Sequence, residues 1–252
     1  MKLRILNSGS DGNCYILDNG TDALVIEAGV KLIDVKQAID FDVSRINGCL
    51  VSHEHGDHSK YVLDFMKSNI KVYASQGTFN RLSQKMKIDR YRDRLIGELQ
   101  TGKQYQIGAF KVIPFDVQHD CAEPLGFLIN HPDMGTTLFA TDTYYLKYKF
   151  KGLNNIMIEC NYRDDILQNN VMKGGIPPFL LKRTMQSHMS YDTCVSTLLA
   201  NDLRDVHNIV LIHLSSQNSN SAEFVDGIRK ATGKVVNAAE KGMILNFNRS
   251  PF

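Results

Sequence analysis

The sequence lacks a CxxC cysteine pair and any apolar run long enough to cross a membrane. Its five cysteines are scattered and odd in number, which favours free thiols in a reducing compartment over disulfides or a thiolate zinc site. The longest apolar runs, such as residues 209–212, have only the length of a strand. The first residues reach polar Asn7 and Ser8 too early for a signal peptide. We therefore expect a cytoplasmic protein without a membrane partner.

The chain also lacks an excess of charge of either sign. Its 29 lysines and arginines stand against 27 acidic residues, for a net charge of +2. Proteins that only coat nucleic acid are usually more basic, so this balance permits a polyanionic partner without requiring one. A hydrophobic content of 43% and a charged content of 22% are ordinary for a globular protein. With no internal repeat or linker, residues 1–252 are expected to form a single domain.

Short apolar segments separated by Gly, Asn and Asp predict a chain rich in strands. Strands are predicted at residues 3–7, 13–17, 23–27, 46–52, 71–74, 104–107, 110–115, 126–130, 137–140, 156–159, 209–214, 234–237 and 243–246. Helices are predicted at residues 31–39, 61–68, 191–201 and 222–231. The Gly/Pro-rich segment 174–178 predicts a mobile loop. Two strand-rich halves, each with helices, predict two sheets packed face to face with the helices outside.

The densest set of metal-ligand residue types follows the apolar segment 46–52 and reads His53-Glu54-His55-Gly56-Asp57-His58. Placed on a tight turn from strand to helix, these side chains can converge on cations. Neutral imidazole suits zinc, manganese or iron, and a carboxylate adds negative charge. The alternative is a solvated polar loop without a ligand.

Three more candidate ligands follow or end apolar segments further along the chain: His119, Asp142 and His213. A single histidine or aspartate at a strand end is more often structural. In combination with the HxHxDH motif, all three are predicted to reach the same rim of the sheets and to act as ligands.

The order HxHxDH, His, Asp, His resembles the metallo-β-lactamase superfamily. The resemblance implies an α/β (α+β) class fold, the four-layer αββα sandwich. It implies one metal at His53, His55 and His119, a second at Asp57, His58 and His213, and a bridge between them at Asp142. The superfamily usually carries an aspartate in its first motif, where this chain has Glu27. In the superfamily this aspartate orients the metal loop and does not bind metal. The glutamate at position 27 therefore affects the expected geometry of the loop and not the expected metal ligands.

Two further motifs resemble those of tRNase Z-type nucleases: Glu159-Cys160-Asn161-Tyr162 and Ser187-His188-Met189-Ser190. The resemblance implies that His188 is the general acid that protonates the leaving oxygen and that Glu159 orients it. An imidazole beside a carboxylate stays protonated near neutral pH, which suits this role. The alternative is that His188 caps the helix predicted to begin near Tyr191.

A narrower resemblance, to the YycJ-type (WalJ-like) family of metallo-hydrolases, extends over nearly the whole chain. It rests on Asn7-Ser8-Gly9-Ser10-Asp11-Gly12-Asn13-Cys14, on the Glu159 motif, on residues 176–190 and on His213-Leu214-Ser215-Ser216-Gln217-Asn218. Family members are regarded as DNA-processing nucleases, some with 5′-to-3′ exonuclease activity. The chain is too short for the inserted cap domain of larger relatives.

Four residues are candidates for contact with the substrate. Ser10 and Asn13 lie in a turn that could receive a phosphate on its amides, or that could be a plain turn between strands. Lys182 and Arg183 could contact a backbone phosphate, or they could be solvated surface charges.

The leading hypothesis is therefore a phosphodiesterase that depends on two divalent ions, Zn²⁺ or Mn²⁺, and acts on nucleic acid, with DNA favoured over RNA. Two bridged cations can supply a hydroxide nucleophile at neutral pH. Asp57 is expected both to bind metal and to accept a proton from the attacking water. One alternative is a hydrolase of a small cyclic phosphodiester or thioester. Another is a silent regulatory or nucleic-acid-binding module, against which the complete set of candidate ligands argues.

Overall fold

The computed structural model describes residues 1–175 and 177–250. Within these residues the strands are β1 (Lys2–Asn7), β2 (Cys14–Asp18), β3 (Ala23–Ile26), β4 (Ile46–Leu50), β5 (Val72–Ala74), β6 (Ile96–Glu98), β7 (Tyr105–Ile107), β8 (Phe110–Asp116), β9 (Leu125–His131), β10 (Gly135–Ala140), β11 (Leu153–Glu159), β12 (Asn208–Ile212), β13 (Val235–Ala238) and β14 (Ile244–Asn246). The helices are α1 (Leu32–Ala38), α2 (Gly56–Ser59), α3 (Val62–Lys67), α4 (Gln76–Lys85), α5 (Arg92–Leu95), α6 (Asp164–Met172), α7 (Pro178–Ser187), α8 (Tyr191–Ala200) and α9 (Ser221–Thr232), with short 3₁₀ turns at Val43–Arg45 and Asp89–Tyr91.

The strands form two sheets, one from each half of the chain, except that β14 returns to the first. The first sheet has the order β14-β1-β2-β3-β4-β5-β6, and the second has the order β13-β12-β11-β10-β9-β8-β7. Strands β3 to β6 run parallel to one another, as do β10 to β13. The carboxyl ends of each parallel set therefore meet at one edge of their sheet, which is where the candidate ligands follow their strands.

Successive side chains of a strand face opposite sides of a sheet, and β2 shows how this builds the layers. Its Tyr15 and Leu17 pack into the core between the two sheets, whereas Cys14 and Ile16 pack against helices on the outer face. Phe127 and Phe139 enter the same inter-sheet core from the second sheet. Strands that are buried on both faces are apolar throughout, as the sequence of β2 is.

Helices cover the outer face of each sheet. Residues of α1, α3 and α4 share an apolar cluster with the first sheet, and residues of α8 and α9 share another with the second. The predicted αββα sandwich is therefore confirmed. No helix within residues 1–175 and 177–250 is long and apolar enough to cross a bilayer. The expectation of one domain without an inserted cap stays a prediction.

Five helices were missed by the sequence prediction: the single-turn helices α2 and α5, and the longer α4, α6 and α7. Of the segment predicted to be a mobile loop, Ile176 lies outside the described residues. Pro177 precedes the first turn of α7, and Pro178 occupies that turn. Proline is favoured at the start of a helix, because its missing N–H would have no partner there, and this signal could have revealed α7.

Candidate metal centre

Each candidate ligand follows the carboxyl end of a strand. His53 lies three residues after β4, and His55 precedes the first turn of α2, which carries Asp57 and His58. Asp142 follows β10, and His213 directly follows β12. Asp142 and His213 have φ angles of 44° and 53°, in the left-handed region that residues other than glycine rarely adopt. Such backbone strain is concentrated at functional sites, where the surrounding structure imposes it.

Six imidazole rings form a closed loop, and two rings of this loop, His53 and His119, also neighbour each other at 4.8 Å. The successive centroid distances are 4.7 Å for His55–His53, 4.3 Å for His53–His58, 5.4 Å for His58–His213, 5.4 Å for His213–His188, 5.4 Å for His188–His119 and 5.0 Å for His119–His55. Asp142 is buried against this loop. Its Oδ2 lies 3.4 Å from Nε2 of both His58 and His119, and its Oδ1 lies 3.5 Å from His213 Nδ1.

Three groups of possible ligand atoms share Asp142, the third of them formed with Glu159, His188 and His213, and the other two match the two sets that the superfamily resemblance implies. In each set these atoms lie within 4.8 Å of one another: His53, His55, His119 and Asp142 in one, and Asp57, His58, Asp142 and His213 in the other. Nε2 of His53 is buried and has no hydrogen-bond partner within the described structure, as expected of an atom reserved for a cation. The donors fit a divalent metal site, and the cluster is able to bind such ions.

Glu27 supports the metal loop in spite of its departure from the superfamily pattern. Its carboxylate is fully buried, with both oxygens 3.3 Å from the backbone N–H of Ser52. Its Oε2 also lies 3.5 Å from Nδ1 of His58, so that Nε2 of the same ring is left to face Asp142. Groups behind a ligand fix its orientation in this way. The longer side chain of glutamate therefore reaches both partners.

Electrostatics in the cluster favour negative carboxylates and bound positive charge. Burial alone would raise the pKa of Asp142, but His213 and His58 hold it well below its usual range. Burial likewise opposes protonation of His213, but Asp142, Asp57 and Glu159 outweigh it and raise the pKa of His213 to about 10. A proton on His213 thus occupies a position where a cation would bind, and metal binding would release it. Burial lowers the pKa of His53 and of His55, which leaves those two imidazoles in the neutral form that binds metal.

His188 and Glu159 form a pair beside the cluster. Nδ1 of His188 lies 2.7 Å from Glu159 Oε1. The other oxygen of the buried Glu159 accepts hydrogen bonds from the backbone N–H groups of Thr143 at 2.8 Å and Met189 at 3.1 Å. Although burial opposes it, the Glu159 carboxylate raises the pKa of His188. Nε2 of His188 remains available to donate a proton.

The structure places a different residue at the cap of α8. The side chain of Ser190, not His188, accepts a hydrogen bond from the backbone of Thr193 at 3.2 Å. The alternative interpretation, in which His188 caps this helix, is therefore wrong. His188 is free of that task and lines a cavity of about 350 Å³ next to His213.

The candidate substrate residues occupy different environments. Ser10 is exposed and lines the same cavity as His188. Asn13 is fully buried, and its amide contacts Gly9, Asp57 and His58, so its side chain supports the metal loop. Binding of a phosphate by this turn stays a prediction. Lys182 is exposed on α7. Arg183, also on α7, pairs with Asp120 at 3.2 Å, one residue beyond His119.

Several groups that hold the ligands were missed by the sequence analysis. Asn161 donates to the carbonyl of His213 at 2.8 Å, and Ser8 accepts from the N–H of His213 at 2.9 Å. The carbonyl of Ser187 lies 2.8 Å from Nδ1 of His119. Such partners fix the tautomer and orientation of a ligand. Asn161 belongs to the Glu159 motif, and its place there was a signal that could have identified it.

A four-layer sandwich with this histidine and aspartate cluster at its strand ends is the arrangement of metallo-β-lactamase-fold hydrolases. The model of the β-lactamase superfamily domain matches residues 22–214, and the chain belongs to this family. The protein is a metal-dependent hydrolase.

Relatives and solved structures agree with the fold. The chain is 28% identical over 235 residues to the exodeoxyribonuclease YycJ of Bacillus anthracis, with coverage of 85% of this chain and 83% of that protein. It is similar to the metallo-β-lactamase fold protein YhfI of Bacillus subtilis, with a TM-score of 0.71, 12% identity and coverage of 97% and 99%. It is also similar to the short form of human tRNase Z, with a TM-score of 0.61, 14% identity and coverage of 98% and 99%. The resemblance to YycJ-type proteins is confirmed.

Proposed function

We propose that the protein is a nuclease that hydrolyses phosphodiester bonds of DNA from a strand end. His53, His55 and His119 would hold one divalent ion, Asp57, His58 and His213 a second, and Asp142 would contact both. Two such ions supply Lewis acidity and a nucleophile at neutral pH. The ligand chemistry suits zinc or manganese.

The pairing of His188 with Glu159 is the observation that carries the proposal. An alkoxide leaves a phosphodiester poorly without a proton, and a histidine kept protonated by a buried carboxylate can supply one. His188 borders both His119 and His213 at 5.4 Å between ring centroids, so it touches both halves of the cluster. A general acid in this position suits the cleavage of an ester bond held across the cluster.

The cavity beside His188 supports a nucleotide as the bound group. It is lined mainly by hydroxyls and amides, among them Ser10, Thr184, Ser215 and Asn218. Its volume of about 350 Å³ lies near the lower end of the range for small-ligand pockets, ~300–1,000 Å³. This space suits one terminal nucleotide better than a duplex. The name of the Bacillus anthracis relative, an exodeoxyribonuclease, supports DNA over RNA.

The second candidate function is hydrolysis of a small cyclic phosphodiester or thioester. A closed, apolar pocket beside the cluster would favour it, whereas the cavity at His188 is polar in its lining. We therefore rank it below the nuclease.

The five cysteines, all within the described part of the chain, are free thiols, which supports a cytoplasmic location.

A cleavage screen tests the proposed function. Single- and double-stranded DNA and RNA, labelled at either end, would be incubated with the zinc-loaded and the manganese-loaded enzyme. We expect stepwise release of nucleotides from DNA, with internal fragments absent at early times. Internal fragments at early times would contradict cleavage from a strand end and would indicate an endonuclease. Turnover of small esters alone would favour the second candidate.

We expect two metal ions per chain in the active enzyme, and one or fewer after Asp142→Ala, because Asp142 borders both ligand sets. Elemental analysis after loading with zinc or manganese and removal of free metal would measure this. Asp226→Ala is the matched control, since Asp226 is an exposed aspartate of α9 that pairs with Lys230. A single equivalent in the wild-type protein that is unchanged in Asp142→Ala would contradict the two-metal proposal.

The double variant Lys182→Gln/Arg183→Gln is expected to weaken binding of long substrates. If both charges contact phosphates of a single strand, the salt dependence should flatten by about 0.7 per contact in the slope of log affinity against log salt. Hydrolysis of a small chromogenic phosphodiester should stay near the wild-type rate. Equal losses on both substrates would instead indicate a defect in folding or in the active site, reached through the Arg183–Asp120 pair.

A further inference from the structure

A second cavity opens beside His55 of the metal cluster. It has a volume of about 460 Å³ and is lined by His55 together with Arg81 and Lys85 of α4. Around the loop of six imidazoles, the path from His55 to His213 has three ring-to-ring steps by way of His53 and three by way of His119. The cavity at His213 and the cavity at His55 therefore lie at opposite ends of the cluster.

Three residues that line the second cavity, Arg81, Gln84 and Lys85, lie in a strongly basic stretch of the chain. Residues 81–94 contain six basic residues, Arg81, Lys85, Lys87, Arg90, Arg92 and Arg94, against two acidic ones, Asp89 and Asp93. This is an excess of four positive charges (six minus two) in a protein whose net charge is +2. The remainder of the chain is therefore slightly acidic, and two of these six basic residues, Arg81 and Lys85, line the cavity next to the metal cluster.

Helix α4 presents its two cationic side chains to solvent on one face. Arg81 and Lys85 are four residues apart, which places them on adjacent turns of the same side. Phe79 and Leu82 of the same helix are buried in the core, so the helix is anchored while these cations are exposed. The Arg81 guanidinium makes a long hydrogen bond of 3.5 Å to the neutral amide of Gln84.

Hydrogen bonds at the start of α4 fix the position of this helix, and so of Arg81 and Lys85, relative to the metal loop. The N–H of Gly77 in α4 donates to the carboxylate of Glu123 at 2.7 Å, and Ser75, the cap of α4, donates to the carbonyl of Glu123 at 2.7 Å. Glu123 lies four residues after His119. The start of α4 is thus tied to the segment that carries a candidate metal ligand, and its cations keep a defined place beside the cluster.

Of the two acidic residues of the cavity, Asp120 has a cationic partner, whereas Oε2 of Glu54 is buried without a hydrogen-bond partner among the described residues. Asp120 pairs with Arg183, and Glu54 accepts a hydrogen bond from the N–H of Ala122 at 2.9 Å. Glu54 is almost fully buried, whereas Arg81 and Lys85 are exposed. A polyanion that approaches from solvent therefore meets the two cations first.

We infer that Arg81 and Lys85, at the head of the basic segment 81–94, bind the phosphate backbone of the strand whose end is being cleaved. This inference rests on the proposed function. The strand lies across the cluster, with its terminal nucleotide in the polar cavity at His188 and His213 and the following phosphates along α4. A groove of positive charge that follows a backbone is how proteins bind single strands without regard to sequence.

The double variant Arg81→Gln/Lys85→Gln tests this inference. The probes are a dinucleotide and a long fluorescent single-stranded oligodeoxynucleotide, and the readouts are cleavage of each and anisotropy of the long one over a range of salt. We expect the slope of log affinity against log salt to fall by about 1.4, for two contacts at ~0.7 each on a single strand. Cleavage of the dinucleotide should be unchanged, because it is too short to reach α4.

Arg204→Gln/Lys230→Gln is the matched control. It also removes one arginine and one lysine, both exposed, from sites that precede the parallel strands β12 and β13 and so lie at the sheet edge away from the cluster. It should keep the wild-type slope. Metal content and circular dichroism verify that each variant is folded and loaded.

The outcomes separate the two proposals. If the wild type cleaves DNA and both double variants keep its salt slope, the inference about α4 is overturned and the proposed function stands. If the wild type binds DNA through α4 but cleaves no nucleic acid, the proposed function fails and the binding surface stands. If the wild type neither binds nor cleaves DNA, both are overturned.

Discussion

Asp57→Asn is expected to lower turnover of a phosphodiester by about 10²–10⁴-fold, the usual contribution of a positioned acid or base. Oδ2 of Asp57 lies 3.2 Å from Nε2 of both His58 and His213, between two candidate ligands. Burial would raise the pKa of Asp57, but hydrogen bonds from His213 and His58 hold it well below its usual range. The carboxylate is therefore ionised at neutral pH, and as we propose, it both binds metal and accepts the proton of the attacking water.

Asparagine keeps the shape of Asp57 but removes its charge, so the variant should fold while its second metal site weakens. Turnover is to be measured at saturating metal, together with bound metal, so that loss of the ion can be separated from loss of the proton acceptor. The control is Asp64→Asn, at a half-buried aspartate of α3 that pairs with Lys67. Near wild-type turnover in Asp57→Asn with both ions bound would show that Asp57 has neither role.

The candidate ligands were predictable because their signals are local. The HxHxDH motif spans six consecutive residues, and Asp142 and His213 follow strands whose apolar sequences are easily recognised. Parallel strands bring their carboxyl ends to one edge, so the approximate meeting place of these residues follows from the order of strands. The division of the ligands into two sets came from the family resemblance, and the geometry agrees with it.

The groups that orient the ligands were not predictable in the same way. The hydrogen bond between Ser8 and His213 joins residues 205 positions apart, and that between Asn161 and His213 joins residues 52 apart. These contacts depend on how two sheets pack and on side-chain directions, which no local pattern contains. Asn13 illustrates the consequence, because its turn resembled a phosphate site although its side chain is buried against Asp57 and His58.

The basic surface of α4 was missed for a different reason. Short polar helices such as α4 and α7 carry few apolar residues at helical spacing, and their cations look like ordinary solvated charge. Only the fold shows that Arg81 and Lys85 lie beside His55. Conversely, Arg183 looked free in the sequence, but in the structure it pairs with Asp120.

His188→Ala should slow cleavage of a substrate with a poor alkoxide leaving group by about 10²–10⁴-fold. It should slow cleavage of a nitrophenyl ester far less, because nitrophenolate departs without a proton. The reason is the hydrogen bond of 2.7 Å between Nδ1 of His188 and the buried Glu159, which raises the pKa of His188 although burial opposes it. His188 is absent from the two sets of proposed ligands, so metal content should stay at the wild-type level.

Glu159→Gln should give the same dependence on the leaving group, but a weaker one. Glutamine can still accept from the backbone N–H groups of Thr143 and Met189, so the local fold should persist, but the charge that holds the proton on His188 is gone. The measurement is the ratio of kcat/KM for the two substrates in each variant, with metal content determined in parallel. His188 and Glu159 also lie close to Asp142 and His213 in a third group of possible ligands. If His188→Ala loses metal, or slows both substrates equally, His188 is a ligand or a structural residue and the assignment of the general acid is wrong.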